Sequence, residues 1–121
     1  MFMSAGTTYS AIIGNVIKKL RDEMGFSQGD MATKMGISQA AWSNLESGKS
    51  ALSTPQLAEV AHLLGISVSD IATYADQAQD AIKAKGMTVT YDNKQAESMG
   101  VMLLGAAAVG AIIAAILLSK K

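Results

Sequence analysis

The segment SQGDMATKMGISQAAWSNLESG, residues 27–48, restricts what this chain can fold into more than any other part of it. Two stretches of helical character flank the turn KMGIS. Ser27 and Ser38 each stand where a hydroxyl can cap the unpaired amides of a helix start, and Gly36 stops the first stretch. A connection this short does not let the two helices fold back antiparallel, so they must cross at a steep angle. The residues inside the segment agree. Ala32 is small where a bulky side chain would hold the helices apart, and Gly36 sits where the turn calls for a left-handed backbone. Met31, Met35, Ile37, Trp42 and Leu45 are spaced to face inward together.

The flanks extend the pattern. Ile12, Ile13, Val16, Ile17, Leu20 and Met24 recur at helical spacing, with Thr8 or Ser10 as cap and Gly25 as terminator. Thr54-Pro55 opens a fourth helix that Gly65 closes. Ser69 is placed to cap a fifth, running through Ile71, Tyr74, Ala75, Ala78 and Ile82 to near Gly86. Five short helices joined by tight turns predict an all-α domain over residues 9–85, preceded by a flexible leader at 1–8. Residues 86–98 read as a linker. The alternation MTVTY would suit a short strand at 87–91, but no partner strand lies nearby in the sequence, so pairing would need a second copy of the chain.

Together with the entry KKLRDEMGFSQGDMA, the exit LESGKS and the fourth-helix stretch LAEVAHLLGIS, these motifs resemble the phage-repressor or Xre-type helix-turn-helix family over roughly residues 12–71. The resemblance implies a third helix, about residues 38–46, lying in the major groove of double-stranded DNA. Gln39, Ala40, Ser43 and Asn44 would then face the bases. Gln and Asn can pair bidentately with the N6 and N7 edge of adenine, and an alanine methyl can touch that of thymine. Gln28 and Ser38, at helix starts, would hold phosphate oxygens, and Lys49 and Ser50 occupy backbone-contacting positions. The family binds mostly as dimers on paired half-sites, so a homodimer is expected. Glu46 resembles a glutamate with a structural part, while Trp42 stands where the family generally carries a smaller aliphatic and is expected to fill core.

Charge matters at this point, because neutralised phosphates supply most non-specific affinity for DNA. Residues 1–98 carry eight Lys or Arg against ten acidic residues, a net charge of −2. That balance argues against tight binding by a monomer and makes dimerisation count for more.

From Met99 to Leu118 the chain runs 20 residues without a charge. As one helix this would be about 30 Å long, the thickness of a bilayer's hydrocarbon core. Residues 99–118 are therefore expected to form a transmembrane helix, followed by a basic tail at 119–121. Lysines on the two sides nearly balance, so the orientation follows from the DNA-binding domain. The N-terminus shows no basic region followed by an apolar one, so no signal peptide is expected. The expected arrangement is a single-pass, tail-anchored protein of a bacterial inner membrane with its N-terminal domain in the cytoplasm. Ala106, Gly110 and Ala114 form one small-residue stripe within the span and Ala107, Ala111 and Ala115 a neighbouring one, a second route to pairing.

No cysteine is present and His62 is the only histidine, which excludes thiolate chemistry and any multi-histidine metal site. The glycines form neither a phosphate loop nor a dinucleotide fingerprint, and no catalytic constellation appears, so neither an enzyme nor a cofactor is expected. Two functions remain: a membrane-anchored, sequence-specific transcription regulator, and a membrane-tethered protein-interaction module that reuses the fold. The second would act as a cytoskeletal adaptor or as an immunity- or antitoxin-like protein holding a membrane or cytoplasmic partner. An apolar patch centred on Trp42 would favour it.

Overall fold

The computed structural model describes residues 4–119. In chain order these form β1 (Ser4–Thr8), α1 (Tyr9–Met24), α2 (Gln28–Met35), α3 (Gln39–Ser47), α4 (Thr54–Leu64) and α5 (Val68–Ala84). Then follow β2 (Thr88–Thr90), α6 (Asn93–Met99), β3 (Val101–Leu103) and α7 (Ala106–Leu118). Local chemistry places the first five helices. The side chains of Thr8, Ser27, Ser38, Ser53 and Ser67 each accept a backbone amide from the first turn of the helix that follows. The fifth cap is thus Ser67, not Ser69. Asp70 closes a capping box with it, which holds the helix start two residues earlier than the sequence pattern suggests. Gly36 ends α2 with φ 69°, the left-handed geometry the turn requires.

The core gathers around α1, which packs against α3 on one side and against α5 and α7 on another. Ile12, Val16, Ile17, Met31, Trp42, Val60 and Ile71 are buried. The inward spacing of the first four helices accounts for most of them. Ala75, Ala78 and Ile82 on α5 extend the core further along the chain, towards Val109, Ile113 and Leu117 on α7. Ala106 lies in α7, but its side chain is outside the described positions.

The C-terminal third departs from expectation. Among the described residues the protein has seven helices and a three-stranded sheet in the order β2-β1-β3, not five helices, a linker and a membrane helix. Residues 4–8, expected as a flexible leader, are the central strand. They pair in parallel with β2 (Gly6 opposite Thr88, Thr8 opposite Thr90) and with β3 (Ser4 opposite Val101, Gly6 opposite Leu103). The partner that MTVTY lacked nearby is this chain's own N-terminus. The crossover that the parallel pairing of β1 with β2 needs is made by α1 to α5, and α6 then carries the chain from β2 across to β3 on the other side of β1.

The expected span at 99–118 is divided. Met99 ends α6, Gly100 turns the chain with φ 67°, residues 101–103 pair with β1, and α7 starts after Gly105. With 13 residues, α7 is about 20 Å long, short of the roughly 30 Å of a bilayer core. No helix among the described residues is long and apolar enough to cross a membrane. This overturns the transmembrane helix, the tail anchor and the inner-membrane placement together. The physical reason is that one stripe of α7, through Val109, Ile113 and Leu117, is satisfied by burial on α1 and α5. The side left outside is mostly alanine, which the surface tolerates at little cost. The basic tail beyond Ser119 lies outside the described residues.

Candidate nucleic-acid interface

Helix α3 has two sides of opposite character. Trp42 and Leu45 point into the core, Trp42 with no exposed surface at all. Gln39, Ala40 and Asn44 are exposed and Ser43 is half-buried. Positions 39, 40, 43 and 44 follow the helical repeat, so these four side chains share one face. Gly29, at the start of α2, lies beside the Gln39 side chain: a Cβ there would make ordinary contact with Gln39 Oε1, at 3.6 Å.

The inner side is held by a buried carboxylate. Glu46 is 4 % exposed and accepts from three helices. Arg21 on α1 donates through Nε (2.5 Å) and Nη2 (3.1 Å), and Gln28 on α2 donates through Nε2 (2.8 Å). Trp42, one turn back on α3, donates its indole N–H (2.8 Å). The Arg21 guanidinium also donates to the Phe26 carbonyl (2.7 Å) and meets Asp22 at 3.1 Å. Its hydrogen bonds to Glu46 raise its pKa above the ordinary value, partly opposed by desolvation, so the guanidinium stays charged. Four charge-assisted bonds on one carboxylate fix the pitch of α3 against α1 and α2. Gly14 lets the helices come this close, since a Cβ there would overlap the Glu46 carbonyl oxygen and lie 2.5 Å from that of Leu45.

The residues predicted for DNA therefore divide. Gln39, Ala40, Ser43 and Asn44 are brought together on the outer face of α3. The Ser38 hydroxyl accepts the Ala41 amide at 3.0 Å, and its proton is left to donate. Lys49 and Ser50 are exposed in the following loop, which is drawn onto α3 by the bond from the Ser50 amide to the Asn44 carbonyl (3.2 Å). Gln28 differs, because one N–H of its amide is turned inward to Glu46. Arg21 escaped attention in the sequence. The signal was there: it sits four residues after Ile17, on the face that periodicity sends inward, where a charge needs a partner. Glu46 lies on the inward side of α3 and is that partner.

Comparison with known proteins shows what this arrangement is similar to. Residues 17–71 match the helix-turn-helix family profile. Over those residues the chain is similar to helix-turn-helix domains. Two solved structures share the fold, both of the clp gene regulator ClgR from Corynebacterium glutamicum. One is 27 % identical, with a TM-score of 0.62 over 64 % of this chain and 83 % of that one. The other is 29 % identical, with a TM-score of 0.54 over 56 % of this chain and 88 % of that one. No curated protein sequence matches the chain.

Proposed function

We propose that this protein is a sequence-specific DNA-binding transcription regulator whose α3 enters the major groove, acting as a dimer on paired half-sites. The observation that carries the proposal is the two-sided α3: a polar, base-competent face of Gln39, Ala40, Ser43 and Asn44, held rigid from behind by the Glu46 bonds. A reading head needs both features, since base contacts specify only when the helix presenting them is fixed. Similarity to a protein described as a gene regulator supports the same reading. The protein-partner alternative called for an apolar patch centred on Trp42, and Trp42 is fully buried. Dimerisation supplies the second set of phosphate contacts that a domain with so few cations needs.

Selection of bound sequences from random duplex DNA, run with the wild type and with a Gln39→Ala/Asn44→Ala double variant, tests this. The wild type should enrich one motif. Each substitution removes a bidentate base contact of about 1–3 kcal/mol, so the double variant should lose the motif while unfolding at the same temperature as the wild type. A wild type that enriches nothing, or a variant that enriches the same motif, refutes the assignment.

A further inference from the structure

Beside the reading face lies a small polar cleft of about 160 Å³, lined by Asn15 and Lys18 of α1, Gln28 of α2, and Ser43, Glu46 and Ser47 of α3. Ser43 belongs to the outer face of α3, so the cleft opens from that face rather than from the far side of the domain. Its charge balance is unusual for this protein. The Glu46 carboxylate is neutralised by Arg21 and has its oxygens occupied by four donors. Among the described residues no carboxylate lies within ion-pair distance of Lys18. The cleft therefore carries the net positive charge of Lys18, which is half-buried. The remaining groups facing it include the Ser43 hydroxyl and the second N–H of the Gln28 amide, both able to donate.

We propose that this cleft seats one phosphate of the DNA backbone, with Lys18 supplying the charge and Ser43 and Gln28 supplying hydrogen bonds. The proposal rests on the DNA-binding function above and reassigns two contacts within it, because the Ser43 hydroxyl then serves the backbone rather than a base. The charged phosphate ligand on this side of α3 is Lys18, while Gln28 acts mainly as a tie between α2 and Glu46. A contact of this kind orients the protein on the duplex without reading sequence.

The test is the salt dependence of binding to the selected motif, measured for the full chain by fluorescence anisotropy. Each neutralised phosphate contributes about 0.9 to the slope of log K against log salt. Lys18→Gln should lower the slope by about 0.9 per protomer and weaken binding equally for motif and non-motif DNA. Lys94→Gln on α6, packed against the sheet, should leave the slope unchanged. Gln28→Ala should also leave the slope unchanged. An unchanged slope in Lys18→Gln overturns the phosphate seat, as does an equal drop in Lys94→Gln, which would mean that net charge alone is acting. Weakening confined to the motif overturns it too, because a phosphate contact has no sequence preference. Absence of any DNA binding by the wild type overturns the parent function, a result distinct from binding with an unaltered slope. Matching thermal unfolding of Lys18→Gln and the wild type keeps a folding defect from imitating the expected outcome.

Discussion

Replacing Glu46 by Gln tests the device that holds α3. The carboxylate accepts four donors: two from Arg21 (2.5 and 3.1 Å), one from Gln28 (2.8 Å) and one from Trp42 (2.8 Å). An amide of the same shape offers one carbonyl oxygen and turns two N–H groups towards the remaining donors. At least one buried donor is stranded and Arg21, 5 % exposed, loses its buried counter-charge. Breaking a buried pair from one side costs about 3–5 kcal/mol. Arg21 keeps the Phe26 carbonyl and the half-exposed Asp22, which puts the expected loss near the lower end, about 3 kcal/mol. With a urea m-value of roughly 1–3 kcal/mol/M, the midpoint should fall by roughly 1–3 M. Far-ultraviolet circular dichroism measures this without depending on Trp42, and Trp42 fluorescence should shift in the folded state as its indole loses the carboxylate. Arg21→Met/Glu46→Met removes both charges and should cost less than Glu46→Met alone, with a coupling of at least about 1 kcal/mol. A loss under about 1 kcal/mol for Glu46→Gln, or additive single variants, would show that the network does not hold α3.

Three other substitutions address the packing and the pH response. Gly14→Ala places a methyl against the carbonyl oxygens of Glu46 and Leu45, both backbone, so α1 and α3 must separate; about 1–3 kcal/mol should be lost in thermal unfolding. Ile113→Ala should cost about 2–5 kcal/mol in urea unfolding of the whole chain, because Ile113 is 1 % exposed within the shared core; a negligible change would mean that α7 is not part of the fold. Tyr9 is pushed from its ordinary value near 10 up to about 12, by burial first and then by its hydrogen bond to Asp76 at 2.9 Å. Because the folded value is the higher one, the associated stability is complete below about pH 10 and is lost as pH rises towards 12. Tyr9→Phe should abolish that alkaline dependence, seen as the loss of one late step in an ultraviolet titration of tyrosinate.

The first two-thirds of the fold was legible because its signals are local. A serine cap, a glycine stop and an apolar repeat each act over one or two turns, and α1 through α4 appear close to where those signals put them. The polar outer side of α3 was legible for a similar reason, since four positions on one helix share a side whatever surrounds them. The Arg21–Glu46 pair was half-visible. Each charge falls on an inward face, but their meeting depends on the crossing of α1 and α3, which Gly14 permits.

Sequence alone determined the helix-turn-helix: the lengths of α2 and α3, the turn between them, and which side of α3 turns outward. These follow from hydrogen bonds and spacing within the segment itself. Tertiary structure decided the fate of both ends. Ser4–Thr8 has no strong local preference and becomes a central strand only because residues 88–90 and 101–103 arrive on either side of it. The apolar run after Met99 was equally suited to a bilayer and to a protein core, since both solvate hydrocarbon and neither demands a polar stripe. What separated them was a surface on α1 and α5 waiting to be covered, and a β1 edge that residues 101–103 could extend. Both come into being only when the rest of the chain has folded.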